Sequence, residues 1–199
     1  MRLDIFLALL LFSIVSSVTP GPNNMMLMAS GVNYGVRRSL PHLIGVVLGY
    51  TLMVALVGFG LDAIFRIAPW LLPLMRYAGA AYLVWLAWRI ATSGAIRRGV
   101  AVGRPLGARG AAAFQWINPK GWVMAVSGLT TYAVSPNYTT SVVVVAATFM
   151  LVGFPCTGVW VLFGAAMRRF LADPRRARPF NWTMGALLIA SIAPVFWEG

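Results

Sequence analysis

Between the apolar run Leu3 to Val18 and the apolar run Met25 to Ala29 stands Thr19-Pro20-Gly21-Pro22-Asn23-Asn24, and this stretch restricts the possible folds more than any other. Leu3 to Ala29 is long enough to cross a bilayer, which takes roughly 20 apolar residues as a helix. Proline has no amide hydrogen and its ring collides with the turn before it, so no helix passes Pro20 and Pro22 unbroken. Carbonyls freed there sit at a depth where lipid offers no donor, and such backbone persists only where it faces protein or lines a wet cavity. A second interruption, Asn118-Pro119-Lys120-Gly121, lies in another apolar segment in the other half of the chain. Two broken spans in corresponding positions of two halves mark a solute site between membrane repeats.

The rest of the chain agrees with a bilayer setting. Of 199 residues, 60% are hydrophobic and 10% charged, with mean hydropathy +0.80; charged residues make up about a quarter of a soluble domain. A net charge of +12 would suggest nucleic acid in a soluble protein. Here the arginines cluster in short loops between apolar runs, where they set orientation, so no nucleic-acid partner is expected. The lone Cys156 supplies no paired thiol chemistry. Met1-Arg2, the run Ile5 to Val18 and the small Ser16 and Ser17 have the outline of a signal peptide. Asp4 in its basic start and the apolar pattern resuming after the break argue against that.

Six spans are predicted. The first runs from Leu3 to Ser30 with its break, followed by a loop with Arg37 and Arg38. The second, Leu40 to Phe65, carries Gly45 and Gly49 at the spacing that lets helices approach closely, and ends near a predicted Asp62–Arg66 pair. The third runs from Trp70 to Ile90, with Trp70 and Trp88 suited to the two interfaces and Arg76 either snorkelling or facing inward. The polar segment 93–109, with Arg97, Arg98, Arg104 and Arg109, divides the chain. The fourth span, Gly110 to Ala133, holds the second break. The fifth, Thr139 to Met167, should kink near Pro155. After an arginine-rich loop, Arg168 to Pro179, the sixth runs from Phe180 to Phe196. The expectation is an all-α polytopic membrane protein of one transmembrane domain (1–199), with inverted three-helix repeats over 3–92 and 110–197. The basic loops should face the cytoplasm and both termini the outside of an inner (plasma) membrane.

Lys120 is the only lysine and the only charge well inside its span. An ionisable group at that depth is a functional-site hypothesis by default. It could bind a carboxylate, switch charge in a transport cycle, or be pinned to carbonyls freed by proline. Asn23, Asn24 and Asn118 can donate and accept, so they either satisfy freed backbone or meet a solute. Residues after Pro22 and Pro119 should begin half-helices whose exposed amides attract anions. Gln115 lies one turn before Pro119 and can face the same cavity. Trp85, Trp116, Trp122 and Trp160, away from span ends or beside the breaks, are expected to pack, with one possible at the cavity wall. No acid lies deep in a predicted span, so a cation cage lacks ligands. His42, placed at the cytoplasmic start of the second span, and Cys156 are isolated, so no metal or other cofactor is expected. One histidine and four acids provide no nucleophile–base set for a hydrolase. The alternatives are a membrane enzyme on a lipid-linked substrate and a structural subunit of a membrane complex.

The run Thr19 to Leu27, with Gly31, Gly35-Val36-Arg37-Arg38, Gly45, Gly49, Gly79-Ala80-Ala81-Tyr82-Leu83 and Asn118-Pro119-Lys120, resembles the signature of the lysine exporter (LysE/RhtB) family over essentially the whole chain. The resemblance implies a six-helix inner-membrane protein that exports amino acids or similar small metabolites against protons, with both proline motifs at the transport site. Its carry-over is limited to Pro20, Gly21, Pro22, Asn23, Asn118, Pro119 and Lys120. Gly121 stands where alanine is familiar in that family and is expected to loosen the second half-helix. A neutral amino acid is the expected solute, its carboxylate held by a half-helix start and Lys120. A homo-oligomer is compatible with this expectation.

Overall fold

A computed structural model describes residues 1–61, 67–68, 70–92, 105–133 and 137–190. The Asp62–Arg66 pair, the Arg76 side chain and the basic segment 93–104 lie outside what it describes. The described residues form only helices: α1 (Leu3–Val18), α2 (Pro22–Leu56), α3 (Leu71–Ala91), α4 (Ala108–Phe114), α5 (Pro119–Tyr132), α6 (Tyr138–Met167) and α7 (Pro174–Ala190). A π-helical turn, Val57–Leu61, extends α2, and 3-10 turns at Gln115–Ile117 and Phe170–Ala172 follow α4 and precede α7.

Both breaks fall where proline requires them. Pro22 and Pro119 are the first residues of α2 and α5, the position where a missing amide hydrogen costs nothing. The residues before them are extended, Gly21 at φ −173°, ψ 176° and Asn118 at φ −84°, ψ 104°, as the proline ring demands of its predecessor.

Three expectations need correction. No loop separates the first two predicted spans: the chain turns at Gly35 alone (φ 75°, ψ 174°) and is helical again at once, with Arg37 and Arg38 inside α2. That backbone region is open essentially only to glycine, and nothing stands within 4 Å of a β-carbon built there. Gly35→Ala is therefore expected to lower stability by about 1–3 kcal/mol through strain alone, read as a fall in unfolding temperature in detergent. Two bonds brace the bend: Ser39 Oγ donates to the Gly35 carbonyl (2.9 Å), and Ser30 Oγ lies 2.7 Å from His42 Nδ1. His42 is thus buried, 1% exposed, rather than interfacial. Third, α7 begins at Pro174, not Phe180. The Asp173 carboxylate accepts the Arg175 amide (2.9 Å) and pairs with Arg176 (3.6 Å), an N-cap with proline next to it. Much of the predicted arginine loop is helix.

The predicted third, fourth and fifth spans agree closely with α3, with α4 and α5 together, and with α6; the ends predicted at Phe65 and Phe196 lie outside the described residues, and α6 stays helical through Pro155. α2 and α6 form the central pair; α1 packs on α6, α4 on α2, and α3 on α7. Gly45 and Gly49 admit α4, since a β-carbon at either would collide with the backbone of Ala108 or Ala112. Gly79 of α3 likewise seats against the Ile117 carbonyl just before the second break. α5 runs helical through Gly121, and a β-carbon there would meet only ordinary contacts. Pro22–Gly60 and Tyr138–Met167 are long and apolar enough to cross a membrane, and Leu3–Val18 is a shorter apolar helix. Large apolar side chains such as Leu52 (55%), Leu151 (70%) and Leu162 (57%) face outward on α2 and α6, a surface suited to acyl chains rather than water.

Candidate functional site

The first break leaves five consecutive carbonyls without helical partners, and each one is met by a side chain. Thr19 Oγ1 donates to Ser16 O (3.1 Å), Asn24 Nδ2 to Ser17 O and Thr19 O (2.8 Å each), and Trp160 Nε1 to Val18 O (3.2 Å). Lys120 Nζ donates to Thr19 O (2.9 Å), Thr19 Oγ1 (2.8 Å) and Pro20 O (3.2 Å). Although Thr19 and Pro20 are themselves exposed, their carbonyls are bonded.

Lys120 therefore spans the two breaks. It is held by carbonyls freed at Pro20, on the opposite segment, rather than by its own neighbour Pro119. An ammonium has three donors, and all three are in use. Gly21 makes room: a β-carbon there would lie 2.7 Å from Lys120 Cδ and 3.1 Å from Nζ. A second tie crosses beside it. Asn23 Nδ2 donates to Gln115 Oε1 (2.8 Å) and Gln115 Nε2 to Asn23 Oδ1 (3.2 Å), while Gln115 Nε2 also reaches Ala111 O (2.8 Å). The backbone of the second break is sealed by Trp122 Nε1 on Trp116 O (2.9 Å) and by Asn118 N on Gln115 O (3.2 Å).

These residues surround a cavity of about 50 Å³, lined by Gly21, Pro22, Asn23, Asn24, Asn118, Lys120 and Gly121 together with Ser17, Tyr50, Phe149 and Thr157. Gln115, Pro20 and Pro119 support it from outside the lining. The starts of α2 and α5 both meet this cavity, and neither has a side-chain cap; the first-turn amides and dipole ends there favour an anion. Asn24 serves the backbone, Asn23 the cross-tie, and Asn118, a residue 2% exposed, leaves its amide oxygen without a partner among the described residues. The buried Tyr50 hydroxyl is also unpartnered. Each such group costs about 1–3 kcal/mol until something bonds it.

Sequence reasoning missed Thr19, whose hydroxyl and carbonyl hold Lys120, and Tyr50. The signal for Tyr50 was a polar tip directly after Gly49 on an otherwise apolar helix face. None of the four tryptophans singled out lines the cavity; Trp122 and Trp160 cap break carbonyls, and Trp85 lies under Arg89 (5.1 Å).

Comparison with known proteins adds one family and a set of relatives. A family model described as LysE type translocator matches residues 14–193. A cysteine/O-acetylserine efflux protein from Escherichia coli is 30% identical over 187 residues, 94% of either chain. Proteins of the same name from a second Escherichia coli strain and from Shigella flexneri are 29% identical over the same share. No solved structure gives a match.

Proposed function

Since the chain belongs to the LysE type translocator family, and is accordingly a membrane transport protein rather than an enzyme, we propose that it is a secondary exporter of a small neutral amino acid. The observation that carries this reading is the convergence of two uncapped helix starts and one ammonium on a single cavity. A solute carboxylate is held by the amides of α2 and α5, with Lys120 exchanging a carbonyl partner for it. The solute ammonium goes to the Asn118 amide oxygen. No acidic side chain among the described residues lines the cavity, so a second positive charge, as on lysine, finds no counter-charge and is disfavoured. The relatives named for cysteine and O-acetylserine efflux favour the same small neutral class.

The transport cycle follows from the volume. About 50 Å³ holds one or two waters but no amino acid, so the breaks must part to load and close behind the solute. Six spans in two inverted repeats provide two such parting surfaces, and proton antiport runs through Lys120 or the solute amine. We place the basic ends in the cytoplasm. A second cavity of about 330 Å³, lined by Asn33, Tyr34, Arg89, Leu171 and Asn181, supports their sharing one side: it brings together the bend of α2, the end of α3 and the start of α7.

Purified protein in liposomes tests the whole reading. A pH gradient across the vesicle is expected to drive flux of labelled serine or cysteine at least about tenfold above that of lysine, a ratio corresponding to roughly 1.4 kcal/mol of discrimination. Absence of amino-acid flux from protein-containing vesicles would leave a structural subunit as the better account.

A further inference from the structure

Tyr50 is left over from the binding scheme above. Carboxylate and ammonium are provided for by helix amides, Lys120 and Asn118, yet Tyr50 lines the same cavity and its buried hydroxyl has no hydrogen-bond partner among the described residues. Its position is fixed rather than adaptable. The ring meets Phe149 edge-on (centroids 5.2 Å, planes 88° apart), and the preceding Gly49 presses α2 onto Ala112 of α4. A rigid ring carrying an unpaired hydroxyl at a ligand cavity is a recognition element, because burying that hydroxyl gains nothing until a ligand atom bonds it. A hydroxyl both donates and accepts, so its counterpart is a polar atom, and Phe149 and Met124 line the same cavity.

We propose that Tyr50 is a specificity-determining residue: its hydroxyl hydrogen-bonds a polar atom on the side chain of the solute, so that a hydroxyl-, thiol- or acyl-bearing amino acid is preferred over its apolar isostere. The proposal rests on the amino-acid exporter reading. Sites that bond a ligand hydroxyl reject analogues lacking it far more strongly than apolar pockets reject an added hydroxyl. Removing the tyrosine oxygen should therefore flatten the preference without abolishing transport.

Threonine and valine, nearly equal in shape, are the probes, with Tyr50→Phe as the variant. In liposomes the wild-type protein is expected to move threonine at least about tenfold faster than valine, and Y50F to bring that ratio within about twofold while valine flux persists. The same ratio read as ligand-induced thermal stabilisation in detergent checks binding independently of turnover. An unchanged threonine-to-valine ratio in Y50F overturns the assignment. Equal losses for both solutes overturn it as well, since they show a packing role. Wild-type transport of both solutes at equal rates refutes Tyr50 as a selector while leaving the exporter standing, whereas no flux of either solute sinks the exporter reading with it.

Discussion

Lys120→Met is expected to reduce export from amino-acid-loaded cells by about a hundredfold or more while the protein still reaches the membrane and elutes as one species in detergent. The methionine keeps the stem that fits beside Gly21 but loses three donors. Thr19 O retains Asn24, whereas Thr19 Oγ1 and Pro20 O lose the partner that Lys120 supplies. Hydrogen bonds to a charged group contribute about 1.5–3 kcal/mol each, so two of them suffice for a hundredfold effect at about 1.4 kcal/mol per decade. The loss falls on the closed arrangement, in which the two breaks are tied, and on the solute carboxylate that shares the same ammonium. Partial rescue by a second substitution cannot come from Gln115, because its amide is already committed to Asn23 and Ala111. Undiminished export by Lys120→Met would remove this residue from the mechanism.

How far the site could be read in advance depends on how local each cause is. The breaks were legible because a proline acts on its own turn and its own predecessor, whatever surrounds it; Pro22 and Pro119 opened helices as expected. The standing of Lys120 as the one lysine of the chain was legible too, but not its partners, since the carbonyls of Thr19 and Pro20 are brought to it only by tertiary packing. Gly35 was read as part of a loop because two arginines follow it, and a single residue at positive φ is a property of the fold, not of the local pattern. The start of α7 was missed for a different reason. Arg175, Arg176 and Arg178 hide the apolar periodicity, although Asp173-Pro174 is a recognisable helix start. Tyr50 escaped notice because a lone hydroxyl in an apolar run looks like packing until its missing partner is seen.

The largest structural effect is expected at a position that touches none of this chemistry. A β-carbon at Gly164 of α6 would land on the Met28 carbonyl of α2, and one at Gly31 of α2 would land on the Val161 carbonyl of α6. The two glycines thus open one contact from both sides, and every atom they would strike is backbone, which cannot swing away as a side chain end can. Gly164→Ala must separate the two helices at the centre of the fold, where Met25, Met28 and Leu27 are buried; overpacking costs about 1–3 kcal/mol where side chains can adjust, and here more. Against this stands the gain of roughly 0.5–1 kcal/mol that alanine brings to a helix interior. Gly158, earlier on the same helix, separates the two effects, because its β-carbon would meet only Leu43 Cδ2 at 3.9 Å. Gly158→Ala is expected to hold or raise the unfolding temperature in detergent, and Gly164→Ala to lower it sharply or yield no monodisperse protein. Equal unfolding temperatures for the two variants would mean that α2 and α6 are not held at backbone contact, and the placement of Asn23 opposite Gln115 and of Thr19 opposite Lys120 would lose its foundation.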